Sequence, residues 1–360
     1  MSAVATVALA QATSKFEARA HDWREGAVVY QVFVDRFVPP KSIEAKRRFI
    51  QPPRRLMHWS DAPKAGHNLA SLGLWSHELD FGGGDLRGVS TKVDYIRSLG
   101  ADVVYLTPIF AAYTNHGYDT QDYAKISPEL GTPQDFRALL HQTHAQHMKL
   151  MLDGVFNHMG RTSPIFQSAK RSQASPYRSW FVFDPKSPGG YHGWSGVGNL
   201  PELRLENPRV RDYLWNGTDS IVRRYLKEGV DGWRLDVGYE IGPAYLGEIT
   251  RAAHATEPGS DVVGEISGYP ADWFPSVDGV FDFFCPEVVK QALAGQISGA
   301  RAGRALQHVV DDAGIDHLLR SWLVLDNHDT PRLAHMLPDL DQRRLALAMQ
   351  FTLPGCPVIY

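Results

Sequence analysis

The sequence predicts an α/β fold: a (β/α)8, or TIM, barrel with a short inserted domain after its third strand. Across the 360 residues, eight short apolar segments alternate with segments of helical periodicity. Apolar strands that alternate with helices are typical of a parallel sheet covered on both faces. Eight such units are the number that closes a barrel of this class. The chain length also suits one large barrel with an insertion.

Each predicted strand is a β-rich apolar run that is bounded by turn residues or by a helix. The glycine run at 82–84 lacks the Gly-Lys-Ser/Thr continuation of a phosphate loop, and Asp85 is better interpreted as a helix N-cap. The predicted strands are 28–37 (ending at Asp35), 101–108, 150–155, 231–237, 261–265, 279–283, 321–326 and 356–360. The predicted helices are 86–99, 133–146, 208–228, 245–253, 286–293, 302–312 and 341–353.

These elements predict four segments. Residues 1–25 form a leader, which we expect to be flexible because its first residues are small and uncharged and lack the positive start of a signal peptide. Residues 26–158 and 206–360 form the barrel. Residues 159–205 form the insert, since they are rich in Ser, Pro, Gly and aromatic residues and lack sustained periodicity.

Composition narrows the possible partners. A net charge of −3 argues against nucleic acid as a binding partner, because the negatively charged phosphate backbone binds basic protein surfaces. No apolar run approaches the roughly 18 residues that a membrane span requires. Cys285 and Cys356 fit no metal spacing and are predicted to be buried thiols. We expect a cytoplasmic protein, with a periplasmic or secreted location and the oligomeric state left open.

The segment 231–237 is a predicted buried strand whose charged residues suggest a catalytic role. Side chains alternate along a strand, so Arg234 and Asp236 share one face while Trp233 and Leu235 share the other. A buried strand should not hold charges unless they are paired or used. Arg234 favours the carboxylate form of Asp236, so we expect Asp236 to be ionised at neutral pH. Such a residue could serve as a nucleophile or stabilise a cation.

Other polar residues follow the carboxyl ends of the predicted strands, where this fold gathers its working residues. Several carboxylates would therefore meet at one barrel mouth, and crowding pushes their pKa values apart. One carboxyl group could then be ionised and act as the nucleophile of glycoside cleavage, while another keeps its proton and acts as the acid. A separation of about 5–5.5 Å between these two carboxyl groups would mean retention of configuration at the anomeric carbon. The residues concerned are His116, Tyr118, Asp153, His158, Arg234, Asp236, Glu265, His328 and Asp329.

Four motifs resemble those of the α-amylase superfamily (glycoside hydrolase family 13), and the resemblance extends from Tyr30 to Tyr360. Each motif alone is weak, but together, in order and on the expected strands, they are highly specific. Two further stretches, 116–119 and 199–203, resemble the loop after strand 2 and the end of the inserted domain. The four motifs are Asp153-Gly-Val-Phe-Asn-His158, Gly232-Trp-Arg-Leu-Asp236, Gly264-Glu-Ile266 and Asn327-His-Asp329.

The resemblance implies a role for each residue. Asp236 would be the nucleophile, Glu265 the general acid/base and Asp329 the carboxylate that steadies the distorted sugar. Arg234 would orient Asp236, and Asp153 would hold Arg234 in place. His158 and His328 would hydrogen-bond the sugar at the cleavage site, and Tyr118 would stack under the ring of that sugar with His116 beside it. Arg332 would reach a neighbouring subsite.

The sequence departs from many α-amylases after the nucleophile, where Tyr239-Glu240 is nearer to neopullulanases and cyclomaltodextrinases. The first strand also offers calcium only one carboxylate, Asp35, where calcium takes six to eight oxygen ligands. We therefore predict no cofactor and no tightly bound calcium. The sequence stops inside the strand-8 pattern of the superfamily, so we expect a fragment without its last helix.

The function expected from the resemblance is retaining hydrolysis of α-1,4 bonds in malto-oligosaccharides or related α-glucans. A transglycosylase or an α-glucosidase is the nearest alternative, and a catalytically inactive sugar-binding fragment is a different one. A metal-dependent hydrolase that uses Asp153, His158 and His328 is a further alternative.

The helix histidines 141, 144 and 147 are expected on a solvated face. Trp59, Trp75, Trp180, Tyr191 and Trp194 are candidate sugar platforms, although we expect most of them to pack loops.

Overall fold

The computed structural model describes residues 14–360 and contains a closed barrel of eight parallel strands. Each strand pairs with the next along the chain, and the last pairs with the first through Val29 and Val358. The predicted barrel is therefore confirmed. Its strands are β1 (Val29–Val32), β2 (Val103–Leu106), β3 (Lys149–Gly154), β4 (Gly232–Leu235), β5 (Asp261–Ile266), β6 (Gly279–Asp282), β7 (Trp322–Leu323) and β8 (Cys356–Ile359).

Strand alternation separates two apolar layers. In β2, Val103 and Tyr105 pack inside the barrel, whereas Val104 and Leu106 pack outward against the helices. All four are essentially inaccessible to solvent. The principal helices of the outer layer are Leu86–Ser90, Val93–Ser98, Pro133–Ala145, Ile221–Lys227, Gly238–His254, Phe284–Leu293, Gly299–Ala313 and Leu340–Gln350.

Two predicted helices are interrupted. The segment predicted as 86–99 forms two short helices that meet at Thr91 and Lys92, although Asp85 caps the first by accepting from Gly88 N at 2.8 Å, as predicted. The segment predicted as 208–228 begins as a helix at Pro208–Arg211 and widens to π geometry over Asp212–Asn216. The helical path then breaks at Gly217 and resumes at Ile221.

The first strand ends earlier than predicted. It stops at Val32, and Asp35 lies instead in the helical turn Val34–Phe37. The Asp35 carboxylate accepts from Gly82 N at 2.7 Å and from Gly83 N at 2.9 Å. The glycine run therefore wraps a buried carboxylate of the same chain, and this capture draws Asp35 out of the strand.

The described part of the predicted flexible leader is bound to the barrel. Residues 14–21 are helical, and Arg320 holds the following turn through Asp22 at 2.8 Å and Glu25 at 3.2 Å. Trp23 Nε1 also donates to the Gly259 carbonyl at 3.1 Å. These contacts join residues 22–25 to the barrel, and the flexibility expected of residues 1–25 stays a prediction. Residues 1–13 lie outside the described part of the chain.

Residues 159–205 lie between β3 and the helical segment that starts at Pro208. They contain the helix Pro164–Arg171 and short 3-10 turns around a core of aromatic side chains. Phe166 sits at the centre of this core, 4.9 Å from the Phe181 ring and 4.7 Å from the Tyr191 ring. The segment is joined to the barrel by Asn199, whose side-chain amide donates to Asp119 Oδ2 at 3.0 Å.

Cys285 and Cys356 are buried free thiols, as predicted. Within residues 14–360, no helix combines the length and the hydrophobicity that crossing a membrane requires.

Candidate active site

A cavity of 1180 Å³ opens at the carboxyl ends of the barrel strands. Residues of the insert form part of its wall, and the hairpin of Asn68–Leu69 with Leu74–Trp75 forms another part. The two parts meet at Gly73, where a Cβ would lie 3.0 Å from the backbone of Gly198 and Asn199. The floor carries Tyr118, His158, Asp236, Glu265, His328 and Asp329.

The Arg234 guanidinium lies beneath this floor and is fully buried. Its Nη1 donates to Asp153 Oδ1 at 2.9 Å and to Asp236 Oδ1 at 3.0 Å, and its Nη2 lies 2.8 Å from Glu265 Oε1. These contacts follow from strand order, because Arg234 on β4 is in register with Asp153 on β3 and one strand away from Glu265 on β5. One cation thus holds three carboxylates at the centre of the site.

The turn after β4 aims the backbone at Glu265. Val237 has φ 50°, a left-handed conformation that is rare for a β-branched residue. In this conformation its N–H donates to Glu265 Oε2 at 2.8 Å. Gly238 follows, and a Cβ there would lie 3.0 Å from the Glu265 carbonyl oxygen. The local strain at Val237 therefore accompanies a contact that fixes the Glu265 carboxyl group.

Burial is the largest influence on the Asp236 carboxyl and raises its pKa well above 3.8. Arg234 opposes this shift, whereas the neighbouring Glu265, Asp153 and Asp329 reinforce it. A single guanidinium cannot neutralise all of these carboxylates, so the cluster favours holding a proton. The sequence-based expectation that Arg234 keeps Asp236 ionised weighed only one contact, and burial outweighs that contact.

Two neutral imidazoles border the carboxylates. Burial lowers the pKa of both His158 and His328 to about 3, so both are uncharged at neutral pH. Neither ring nitrogen of His158 has a hydrogen-bond partner among residues 14–360, although its Nε2 lies 3.9 Å from Asp236 Oδ2. Buried polar atoms normally find partners, so His158 is prepared for a polar group that enters the cavity.

Aromatic rings form a stack on the other side of the floor. The Tyr118 ring lies parallel to that of His328, with centroids 5.4 Å apart, and the His116 ring also stacks with Tyr118 at 5.6 Å. The Tyr118 hydroxyl donates to Asp153 Oδ2 at 3.0 Å. His116 is held by Glu78, with its Nε2 3.3 Å from Glu78 Oε2. The stack presents a polar-edged apolar surface of the kind that accepts a sugar ring.

Asp329 stands at the open side of the floor, with 55% of its side chain exposed. Asn327 holds it in both directions: its side-chain amide donates to Asp329 Oδ2 at 3.3 Å and its Oδ1 accepts from the Asp329 backbone N–H at 3.1 Å. Arg332 takes a different direction. Its guanidinium donates to the Tyr360 carbonyl at 2.9 Å, and Arg332 is not among the residues that line the cavity.

The structure thus brings together all of the predicted site residues except Arg332. It also adds partners that the motifs did not indicate. Tyr105 donates to Asp153 from inside the barrel, and Gln31 lies 2.9 Å from His328 Nδ1. Gln31 and His328 are 297 residues apart in sequence. The only sequence signal that marks Gln31 is therefore that it is a polar residue at an inward position of an apolar strand.

The candidate sugar platforms divide into two groups. Trp75, Tyr191 and Trp194 line the cavity, and Trp75 is 48% exposed. Trp180 instead packs between Tyr177 and Tyr213, as expected for loop packing.

The alternative zinc site is not supported by the arrangement of its residues. Within residues 14–360, no three His, Cys, Asp or Glu side chains are grouped as metal ligands. Asp153 is instead occupied by Arg234, Tyr105 and Tyr118. The helix histidines 141, 144 and 147 are all exposed, as predicted.

A family model, alpha amylase catalytic domain, matches residues 31–263. An intracellular maltogenic amylase of Bacillus subtilis is 31% identical over 357 residues, which cover 95% of this chain and 56% of that relative. Neopullulanase 2 of Thermoactinomyces vulgaris is 31% identical over 350 residues, which cover 94% and 56%. The chain therefore spans about half the length of the curated relatives it matches.

Solved structures agree with these matches. The ligand-free cyclic alpha-maltosyl-(1→6)-maltose hydrolase from Arthrobacter globiformis has a TM-score of 0.83 and 30% identity, covering 94% of this chain and 74% of its own. The same hydrolase has also been solved in complex with maltose. The barrel, the cluster around Arg234 and the match over residues 31–263 together show that this chain belongs to the α-amylase family.

Proposed function

We propose that the protein is a retaining α-glycosidase that hydrolyses α-1,4-glucosidic bonds of malto-oligosaccharides or related α-glucans. The observation that carries this proposal is the pair Asp236 and Glu265. The two carboxyl groups bind neighbouring nitrogens of one buried guanidinium and face the same cavity. Two carboxyl groups held close together in this way suit a covalent double displacement.

In the first step, Asp236 attacks the anomeric carbon and forms a glycosyl ester as the bond to the leaving oxygen breaks. Glu265 gives its proton to that oxygen, so no alkoxide is released. In the second step, Glu265 takes a proton from water, and the resulting hydroxide displaces Asp236 from the anomeric carbon. Two inversions restore the original configuration.

The remaining residues would bind and polarise the sugar. The unpartnered nitrogens of His158 would hydrogen-bond sugar hydroxyls, and the stacked Tyr118 ring would lie under the sugar. Asp329, which is exposed to the cavity, would steady the positive charge that develops on the ring. Each of these contacts would strengthen as the transition state forms, which is what accelerates the chemical step.

The class of substrate is supported by what the relatives are named for. The similar proteins include a maltogenic amylase and a neopullulanase, and the solved hydrolase binds maltose. Hydrolysis and glycosyl transfer share the covalent intermediate and differ in whether water or a sugar hydroxyl accepts it. The cytoplasmic location and the absence of tightly bound calcium stay predictions.

Product analysis tests this proposal. Incubation with maltoheptaose, followed by proton NMR, should show the α-anomer of the new reducing end before mutarotation. The appearance of the β-anomer first would contradict retention, and longer chains without a rise in the number of reducing ends would favour the transglycosylase. Binding of maltoheptaose without any turnover would favour the inactive sugar-binding protein.

Glu265→Gln provides a matched test of the acid role. We expect kcat/KM on maltoheptaose to fall by about 10² to 10⁴, because no proton reaches the leaving oxygen. Turnover of α-maltotriosyl fluoride should fall much less in its first step, since fluoride leaves without protonation. Equal losses on both substrates would remove Glu265 from the acid role.

The pH dependence of kcat/KM on α-maltotriosyl fluoride should show an acid limb that is set by Asp236. Asp236 must be ionised to attack, and burial raises its pKa, so activity should be lost as pH falls through a value above 3.8. His158 and His328 have pKa values of about 3 and should contribute no limb near the ordinary histidine value of 6.5. Rates measured on α-maltotriosyl fluoride from pH 3 to pH 9 would check this, and an acid limb at or below 3.8 would contradict it.

A further inference from the structure

We propose that Gln31 is a positioning residue: it holds His328 in the neutral form that carries its proton on Nε2, so that His328 donates to the Tyr118 hydroxyl oxygen at the floor of the cavity. The role in turnover rests on the proposed function. The hydrogen-bond arrangement itself belongs to the free protein and can be tested separately.

Gln31 is a polar side chain in an apolar strand. It is 2% exposed and shares the inward face of β1 with Val29, two residues before it. Its Nε2 lies 2.9 Å from His328 Nδ1. Barrel closure creates this contact, because β1 and the loop after β7 are brought together only when β8 completes the ring.

The direction of each hydrogen bond follows from counting protons, starting at Asp153. This carboxylate receives two contacts from Arg234 and one each from the hydroxyls of Tyr105 and Tyr118. The three donor groups, one guanidinium nitrogen and two hydroxyls, require the carboxyl group to act as an acceptor. The single hydroxyl proton of Tyr118 is therefore committed to Asp153.

The Tyr118 oxygen also lies 2.8 Å from His328 Nε2. Because the tyrosine proton is committed, Nε2 must carry the proton of this second hydrogen bond. The low pKa of His328 keeps the ring neutral, so Nδ1 then has only a lone pair. That lone pair is buried and needs a donor, and the amide group of Gln31 is the donor within reach.

The result is a relay that runs Gln31 to His328 to Tyr118 to Asp153 and ends on the Arg234 guanidinium. His328 Nε2 also lies 3.4 Å from Asp329 Oδ2, so its proton stands between the aromatic stack and the open side of the floor. The opposite tautomer would turn a lone pair toward the Tyr118 oxygen and toward a carboxylate.

Other groups near His328 affect the charge of its ring or cover it. Arg234 and His116 favour the neutral ring, whereas Glu265 favours the charged ring. The rings of Phe33 and Tyr360 cover its remaining sides, with centroids 5.9 Å and 6.4 Å away. Within the described chain, the side chain of Gln31 is the one that hydrogen-bonds Nδ1.

Two substitutions separate polarity from packing. Gln31→Glu keeps the shape but replaces a donor by an acceptor, so it should place a proton on Nδ1. Gln31→Met keeps the length and removes the donor. Gln350 offers a matched control, because it is also buried and donates to the carbonyls of Leu323 and Val358 without touching the cavity. Gln350→Met should therefore lower stability without affecting His328.

Nitrogen-15 NMR of histidine-labelled free protein reads the tautomer directly, with the His328 signals assigned by their loss in His328→Gln. We expect protonated Nε2 and bare Nδ1 in the parent protein and in Gln350→Met. In Gln31→Glu we expect a protonated Nδ1. Unchanged His328 signals in Gln31→Glu would overturn the inference, as would a parent protein with its proton on Nδ1.

Kinetics then tests the role in turnover. In Gln31→Glu and Gln31→Met we expect kcat on α-maltotriosyl fluoride to fall roughly tenfold or more, with KM within about twofold, because the stacked rings of Tyr118 and His328 would no longer be held in place beside the carboxyl groups as the transition state forms. An unchanged kcat with a changed tautomer would overturn that role. A parent protein without turnover, but with the predicted tautomer, would instead refute the proposed function.

Discussion

Replacing Asp236 by Asn is expected to lower kcat by about 10⁴-fold and to raise the melting temperature at neutral pH. Asn has the same shape and keeps an oxygen that can accept from Arg234, but it cannot form the glycosyl ester. Losses of this size are usual when a residue that attacks or activates the attacking group is removed. Rates on maltoheptaose and thermal unfolding followed by circular dichroism would measure the two effects.

The stability gain has a definite pH dependence. Burial raises the folded-state pKa of Asp236, so the ionised carboxylate costs stability once the pH rises through that pKa. Asn removes the cost, and the advantage of the variant should shrink as the pH falls toward 3.8 and below. The exposed Asp341 provides a control, since Asp341→Asn should change neither rate nor stability by more than about 0.5 kcal/mol. Undiminished turnover in Asp236→Asn would refute the proposed mechanism.

Replacing Arg234 by Met is expected to destabilise the barrel by about 3–5 kcal/mol. The substitution leaves Asp153, Asp236 and Glu265 beside one another without a cation. Breaking a buried ion pair by removing one partner is costly because the other charge stays buried. Urea denaturation at pH 7 would measure the loss as a lower midpoint.

Two comparisons sharpen this test. Arg344 is 69% exposed and pairs with Asp341 on the surface, so Arg344→Met should move the midpoint very little. Adding Asp153→Asn to Arg234→Met should recover part of the loss, because it removes one of the uncompensated charges. Equal midpoints for the parent protein and Arg234→Met would show that the guanidinium does not hold the cluster together.

Much of the fold could be predicted because apolar runs and turn residues carry the strand signal. Every barrel strand lies within or within a residue of its predicted segment, but the edges depended on contacts distant in sequence. Asp35 was predicted as the end of a strand, and only its capture by Gly82 and Gly83 explains why β1 ends at Val32. The helix 14–21 is almost wholly exposed and is joined to the barrel by ion pairs of Lys15 and Arg19 with Asp316, which the sequence could not reveal.

The site was predicted from residue types at strand ends, and Arg234 with its three carboxylates was assembled as the strand order implies. Two kinds of information were missing. The direction of Arg332 could not follow from its closeness to Asp329 in sequence, since a turn sends its side chain to Tyr360. Gln31 could not be connected with His328 before the barrel closed, because β1 and the loop after β7 meet only then. Tyr105 and Asp153 lie on the paired strands β2 and β3, and the predicted segments did not give the register that brings them together.

The contact between Gly73 and Gly198 has a consequence for how this protein could be redesigned. Here two separate walls of the cavity touch through backbone alone, and Gly73 has φ +66°, a conformation that side chains rarely adopt. Gly73 cannot gain a side chain here without backbone strain and a shift of the opposite wall, whereas a Cβ at Gly198 would lie at an ordinary contact distance of 3.7 Å from Gly73 Cα. Widening or narrowing the cavity from the hairpin side is therefore a matter of loop length, and engineering aimed at larger or smaller glucans would begin with insertions or deletions in the hairpin.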